Sequence, residues 1–364
     1  MVLKYDMTRY FDALIILLNS IYSDITLLNR FANLMHSLRP LLMPAFTFSW
    51  IELITDRHLV YGLIGAHEKH DWVAMGTLLA DYVVTLAYTA DTSPREIFDL
   101  IYKSILRFVL VLTHDFPEFV VTVVPEICTI LPSNFTQIRN ILLSSYPPEI
   151  QLIPISKAIT ALDKVPGIGD FHQIQVPQKH LIEEMQFHNA IKSELAFSDL
   201  ATQLDKKVGS GAIASFVVFI TNVLLPQCAL EGILSSTFTS NHVYFIINQL
   251  VRKINADALH VLVNVIIDQL RFPSKTTLFF YKTALALLKN TAKQLPPQIG
   301  ELIVTTVMER AGTPPPHPWG LRLLIRELMT NDDIRLFERP FVQNSEEVKR
   351  FLNAIFHTFC KHDE

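Results

Sequence analysis

Cysteine is scarce in this chain of 364 residues, where only Cys128, Cys228 and Cys360 occur. They are odd in number, far apart and never in a C-x-x-C spacing, so the sequence offers neither a disulfide framework nor a zinc site. This pattern indicates a reducing compartment. A signal peptide is not expected either, because Met1–Asp6 carries charges of both signs and leads directly into an amphipathic pattern.

Charge is also sparse, since charged residues make up 18% of the chain and the net charge is −4. Basic residues never cluster beyond pairs such as Lys206-Lys207 and Arg252-Lys253. Because binding to phosphates needs clustered Lys and Arg, we expect no direct contact with nucleic acid.

Motifs for catalysis or phosphate binding are missing from the sequence or fail on spacing. His67–Asp71 resembles the H-E-x-x-H zinc helix, but an aspartate stands where the second histidine belongs. Val165–Gly169 resembles the turn of a DNA-binding hairpin, but it lacks basic residues and fits a plain linker turn. We therefore expect no enzyme, cofactor or metal. An active site around His67, His70 or His114 is the enzymatic alternative.

Apolar residues make up half of the chain, and its mean hydropathy is +0.29. The segment Val208–Leu230 contains no charged residue and is long enough for a membrane span. It includes several polar residues and a proline, however, and its flanks show no clear positive bias, which favours a helix buried in a helical protein. A helical membrane-associated protein is the alternative.

Hydrophobic periodicity indicates the fold class. Asp257–Arg271 contains a clean series of apolar residues at i, i+3, i+4, i+7, i+8 and i+11, with His260, Asn264 and Asp268 on a polar face. Ser93–Glu96 has the form of a helix start, with an N-cap serine and a glutamate that closes a capping box. Strand-like alternation is scarce, so the sequence predicts an all-α protein.

The segment Thr313–Gly320 contains four prolines and Trp319, and a helical pattern follows immediately. Prolines hold the backbone extended, so Trp319 is expected to pack this lead-in against the neighbouring helices. Met43–Thr55 has a similar order of proline, aromatic residues and Trp50 before a helical pattern. Two proline-broken helices led by tryptophan favour a layered helical array.

The length of the chain exceeds that of one usual compact domain. Residues 149–179 have the weakest pattern and several prolines and glycines, so they are predicted to form an irregular linker. The predicted organisation is a helical lobe over residues 1–148, this linker, and a second helical lobe over residues 180–364 that carries Pro316–Gly320. One continuous scaffold is the alternative.

Six blocks of sequence, in order along the chain, resemble one protein family. The blocks are Met43–Ile54, Val111–Phe119, Leu131–Pro147, Gln269–Thr277, Pro316–Gly320 and Phe337–Phe341. They are similar to the C-terminal domain of the large Not scaffold subunit of the CCR-NOT (carbon catabolite repression–negative on TATA-less) deadenylase complex. The region Leu152–Lys206 has no matching block. The family's subunit is several-fold longer than this chain, so a fragment, a split gene product and a reduced paralogue all fit.

The resemblance implies a HEAT-like superhelical array of antiparallel helix pairs in two lobes, without catalytic activity or a cofactor. In the family, this domain docks a heterodimer of Not-box subunits and receives short linear motifs of RNA-binding repressors. Other subunits carry out mRNA deadenylation, mRNA decay and translational repression, so a cytoplasmic or nuclear location is expected, with no membrane partner. A HEAT-like adaptor unrelated to deadenylation is the alternative.

Large aromatic and charged side chains within these blocks are candidates for partner binding or for packing of the helical layers, because such residues dominate interfaces and cores alike. They are Phe46, Trp50, Phe116, Phe119, Arg139, Arg271, His317 and Trp319. No catalytic, cofactor-binding or metal-binding residue is predicted.

Overall fold

A computed structural model of the chain describes residues 7–65, 72–174, 186–191, 193–207, 211–290 and 295–360. Within these ranges the regular structure is helical and includes no strand, which confirms the all-α prediction. The stretch of residues 67–71, and with it His67 and His70, lies outside the described residues.

The chain divides into two compact units, Met1–Pro132 and Ser133–Glu364. This division lies before the predicted one at residue 148, because residues 136–143 form a helix that packs in the second unit. The described part of the predicted linker, residues 149–174, also belongs to the second unit, and Ile155 is buried in that unit's core. Weak periodicity there therefore reflects irregular backbone that is packed, which sequence patterns cannot tell from an exposed linker.

Packed helices joined by short connections make up the first unit. They are α1 (Thr8–Ile21), α2 (Ile25–Ser37), α3 (Thr47–Ile54), α4 (Arg57–Ile64), α5 (Val73–Thr92), α6 (Arg95–Asp115) and α7 (Pro117–Ile130). Helix α5 packs against α2, α6 and α7, and α6 packs against α7. Two residues connect α5 to α6, so these two helices form an antiparallel pair, and Phe116 alone connects α6 to α7. This is the helix pairing that the HEAT-like prediction requires.

Helix α6 begins where the sequence predicts, but without the predicted capping box. Pro94 is the N-cap residue, and no side chain caps the helix by a hydrogen bond. The Pro94 carbonyl accepts hydrogen bonds from the backbone amides of Ile97 and Phe98. Ser93 instead ends α5 in an extended conformation, as a residue before proline usually does.

One continuous apolar core, built from Ile155 and residues after it, lies within the helices of the second unit. They are α8 (Thr136–Leu143), α9 (Ile155–Ala158), α10 (the helical residues 186–190), α11 (Glu194–Lys206), α12 (Ala212–Phe219), α13 (Leu230–Leu234), α14 (His242–Lys253), α15 (Ala256–Asp268), α16 (Lys275–Asn290), α17 (Pro297–Ala311), α18 (Trp319–Thr330), α19 (Pro340–Gln343) and α20 (Glu346–Cys360). Helix α16 is buried on nearly all sides and contacts α13, α15, α17 and α18, so it is the central helix of this unit.

The uncharged segment at residues 208–230 is described from residue 211 onward, and its helical run, Ala212–Gln227, changes type along its length. From residue 211 onward it contains α12, then a π-helical turn at Ile220–Leu224 and a 3-10 turn at Leu225–Gln227. Among the described residues, α5 is the one helix long and apolar enough to cross a membrane by length and composition, and 44% of its apolar window is buried. Leu78 and Leu86 of α5 are fully buried, which is the packing of a core helix.

Candidate functional site

Two of the aromatic candidates lie where α3 begins. Phe46 closes a 3-10 turn before α3 and is buried. Trp50 lies one turn into α3 and is fully buried, and its Nε1 donates a hydrogen bond to the carbonyl of Met35 in α2 at 2.7 Å. Its ring meets Tyr82 of α5 edge-on at 6.0 Å. Trp50 therefore links α2, α3 and α5. It lies within a helix, unlike Trp319, which is the first residue of α18.

The two other aromatic candidates of the first unit lie at the junction of α6 and α7. Phe116 is half-buried, and its ring meets Tyr61 edge-on at 4.9 Å. Phe119 is fully buried and meets the ring of Trp72 edge-on at 5.9 Å. Of the four aromatic candidates in this unit, Phe116 alone has surface that a partner could contact.

Arg139 belongs to a buried cluster of charges in the second unit. Its Nη1 donates a hydrogen bond to Oδ2 of Asp268 at 2.7 Å, and Nη1 of Arg310 lies 2.7 Å from Oδ1 of the same carboxylate. Arg310 also donates to Oδ1 of Asn264, and its own carbonyl accepts from Nδ2 of Asn140. The cluster joins α8, α15 and α17 by charge-assisted hydrogen bonds. Its role is to hold the helices together.

Sequence reasoning missed Asp268 and Arg310 as members of this cluster. The polar face predicted for α15 is only partly a solvent face, because Asn264 and Asp268 are buried while His260 is exposed. A helical period identifies a polar stripe but not what it packs against. Arg139 was the one residue that could have pointed to this cluster from the sequence, because an arginine that becomes buried needs a carboxylate partner.

Trp319 and its neighbours form a close contact between two chain segments of the second unit. The indole Nε1 donates a hydrogen bond to the Ile153 carbonyl at 2.9 Å, so Trp319 holds the start of α18 against the irregular segment before α9. The backbone amide of Gly320 donates to the carbonyl of Arg271 at 2.7 Å. The guanidinium of Arg271 lies over the ring of Phe272, 5.4 Å from its centre. This contact brings Arg271 and Trp319 together, although they are 48 positions apart in the sequence.

His317 lies in the proline-rich segment before α18 and is half-buried. Its ring meets Phe359 of α20 edge-on at 5.1 Å. Burial lowers the pKa of His317 below its ordinary value, and the positive charge of Arg322 acts in the same direction. The fold therefore favours the neutral imidazole.

Acidification is expected to destabilise the protein through His317. Because its pKa is lower in the folded than in the unfolded state, the stability it contributes is fully present above the unfolded pKa and is lost as the pH falls through the folded pKa. The difference in Tm between the wild type and His317→Gln should therefore narrow from pH 7.5 to pH 5.5, as measured by thermal denaturation. His242→Gln, at an exposed histidine, is the control for the substitution itself. A Tm difference between the wild type and His317→Gln that stays the same from pH 7.5 to pH 5.5 would contradict this account.

His114, the remaining histidine considered for catalysis, lies at the exposed end of α6. Its Nδ1 is 2.6 Å from Oδ1 of Asp115, and Oδ2 of Asp115 accepts a hydrogen bond from the Tyr61 hydroxyl at 2.9 Å. These two bonds lower the pKa of Asp115. In the part of the chain that the structure describes, no group of three or more His, Cys, Asp or Glu side chains is placed to hold a metal ion. His114 thus belongs to a small hydrogen-bonded surface group.

Exposed apolar side chains are concentrated in the first unit. Among the described residues, most of the large apolar side chains with at least a third of their surface exposed lie on α1, α3, α5, α6 and the segment between α2 and α3. Examples are Tyr10, Ile16, Leu42, Phe48, Tyr88 and Leu100. Scattered exposed apolar residues are ordinary, but such a concentration on packed helices is typical of surfaces that contact other proteins.

Comparison with known sequences gives one consistent result. The family model for the CCR4-Not complex component Not1 matches residues 17–356. The chain is 24% identical over 354 residues to the General negative regulator of transcription subunit 1 of Saccharomyces cerevisiae, and 24% identical over 357 residues to the CCR4-NOT transcription complex subunit let-711 of Caenorhabditis elegans. These matches cover 91% and 92% of this chain, but only 17% and 13% of the relatives. The chain thus spans less than a fifth of the length of these curated relatives.

Two solved structures share the fold. The NOT1 superfamily homology domain from Chaetomium thermophilum superimposes with a TM-score of 0.83 and 21% identity, covering 96% of this chain and 75% of that one. A Not1 C-terminal domain, solved in complex with Not4, gives a TM-score of 0.76 and 20% identity, covering 91% of this chain and 68% of that one. At these identities the likeness concerns the fold.

Proposed function

The chain belongs to the Not1 family of CCR4-Not complex components, and we propose that it is a non-catalytic docking domain of such a complex. The observation that carries this proposal is the extent of the family match, residues 17–356, which includes helices of both compact units. A protein of stacked helices offers long ridges and grooves to other chains, and this use is common among helical arrays.

The proposed partners are subunits of the Not module, namely a heterodimer of Not-box proteins, and short linear motifs of RNA-binding repressors. Support comes from the solved relative, a Not1 C-terminal domain in complex with Not4. The exposed apolar side chains of the first unit, such as Tyr10 and Phe48, supply the surface whose burial would drive association.

In this role the chain would hold partners together while other subunits carry out the chemistry of mRNA deadenylation. Decay and translational repression of mRNA would then depend on the chain through assembly alone. The proposed location is the cytoplasm, the nucleus or both, where such complexes meet mRNA.

Co-purification tests the proposal. The tagged full chain, shown to be folded by circular dichroism and to be monodisperse by size-exclusion chromatography, is co-expressed with an untagged Not-box heterodimer. We expect the heterodimer to be retained on the affinity resin in amounts close to equimolar. A second arm uses Not4 in place of the heterodimer. If the folded chain retains neither partner, the proposed function is wrong.

A further inference from the structure

The outer face of α6 carries a stripe of apolar and basic side chains that no other described element covers. Its members are Leu100, Lys103, Arg107, Leu110 and Val111, all of them exposed. Their spacing of three, four, three and one residues places them on one side of the helix. Ile101, Ile105 and Phe108, on the opposite side, are buried where α6 packs against α5 and α7.

The two cations in the middle of this stripe have no acidic partner among the described residues. Neither Lys103 nor Arg107 forms an ion pair there, and the carboxylate of Asp99, one turn before Lys103, is paired with Arg95 at 3.0 Å. The positive charge of the stripe also does not reflect an excess of basic residues in the first unit. Residues 1–132 contain nine Lys and Arg against fourteen Asp and Glu. Lys103 and Arg107 therefore make the middle of this face locally positive, and Glu96 lies at its N-terminal end.

We propose that the outer face of α6 docks an amphipathic helix of a partner protein whose contacting side combines apolar residues with Asp or Glu. The proposal rests on the docking function and names the surface and the kind of partner. Leu100 to Val111 span about 17 Å, which matches about three turns of a partner helix. Ridges of one helix pack between ridges of another, so the apolar residues supply contact area.

Charge complementarity selects an acidic partner. The flanking leucines and Val111 would exclude water from around Lys103 and Arg107, and a cation that loses water needs a carboxylate partner. Nucleic acid fits this face poorly, because two cations neutralise few phosphates and the stripe contains no aromatic ring for base stacking.

Fluorescence polarisation with two designed peptides tests the proposal on the full chain. Both are 18-residue helical peptides with the same leucine face, and the residues flanking that face are Glu in one peptide and Lys in the other. We expect the wild type to bind the Glu peptide at least about tenfold more tightly than the Lys peptide. The double variant Lys103→Glu/Arg107→Glu should reverse this preference, because it turns the stripe negative.

A matched control changes the same charge elsewhere in the first unit. Arg9→Glu/Arg30→Glu alters two exposed arginines on α1 and α2 and should keep the wild-type preference. Leu100→Ser should weaken both peptides to a similar degree, since it removes contact area and no charge. Circular dichroism shows that each variant is folded.

Equal affinity for the two peptides, no binding at 100 μM peptide, or an unchanged preference in Lys103→Glu/Arg107→Glu would overturn the proposal. The proposal would also be overturned if the wild type sedimented with phosphatidylserine vesicles and the double variant did not, because the stripe would then bind a membrane surface. If the wild type fails to bind the Not-box heterodimer but still prefers the Glu peptide, the result counts against the proposed function alone. If the wild type binds the heterodimer but shows no preference for the Glu peptide, the result counts against this inference alone.

Discussion

Asp268→Ala is expected to lower the free energy of unfolding by about 3–5 kcal/mol, because it leaves two buried guanidinium groups without their shared carboxylate. Arg139 and Arg310 each approach Asp268 at 2.7 Å, and all three side chains are almost completely buried. Each cation would be left in a medium that solvates it poorly. Urea denaturation followed by circular dichroism measures the loss.

The control for this prediction removes an exposed ion pair of similar length. Asp333 lies 3.0 Å from Lys289, and both side chains are largely exposed to solvent. Exposed pairs contribute about 0–1 kcal/mol, so Asp333→Ala should change stability by less than about 1 kcal/mol. A small change for Asp268→Ala as well would mean that the buried cluster does not hold α8, α15 and α17 together.

Gly320→Ala is expected to destabilise the protein by about 2–3 kcal/mol, because a Cβ atom has no room at this position. It would lie 2.5 Å from Cγ2 of Thr277 and 2.9 Å from the carbonyl carbon of Leu270. Leu270 contributes backbone, which cannot turn aside as the end of a flexible side chain can. The hydrogen bond from Gly320 to Arg271 would have to lengthen. Thermal and urea denaturation both measure the effect.

Gly232→Ala is the matched control. Gly232 lies inside α13, and a Cβ atom there would meet no other atom within 4 Å. Alanine is the better helix former, so this variant should be neutral or more stable by up to about 1 kcal/mol. Similar losses for the two variants would contradict the close approach at Gly320.

Local features of the fold were accessible from sequence because they depend on neighbours in the chain. The all-α class and the start of α6 follow from periodicity and proline, and the structure confirms both. The capping box at Ser93 was wrong, since Pro94 takes the N-cap position and Ser93 ends the preceding helix. Sequence signals place helix ends only to within a few residues, and here one residue decides which cap forms.

Features that depend on distant partners were not accessible. Arg139 and Asp268 are 129 positions apart, and no local pattern shows that α8 belongs with α15. The same contacts explain why the first unit ends at Pro132 while the sequence predicted a boundary at residue 148. The apolar and basic stripe on α6 could not be predicted either, because periodicity does not show that Lys103 and Arg107 lack acidic partners among the described residues.

The function could be predicted from the resemblance of six sequence blocks to a known family, and not from catalytic or ligand-binding motifs. Their resemblance to the Not scaffold family is confirmed by the family match. Phe46, Trp50, Phe119, Arg139 and Trp319, prominent within those blocks, are buried. Much of what makes the blocks recognisable therefore serves packing. Partner binding by Phe116, Arg271 and His317, which are partly exposed, stays a prediction.

Isothermal titration of a Not-box heterodimer into the full chain, at several temperatures, tests the central claim most directly. A docking domain that offers apolar helical surface should give saturable binding at a fixed stoichiometry, with a negative heat-capacity change because apolar surface leaves water. A folded chain that gives no binding heat at any of these temperatures, and no complex by size-exclusion chromatography at the same concentrations, would contradict the account.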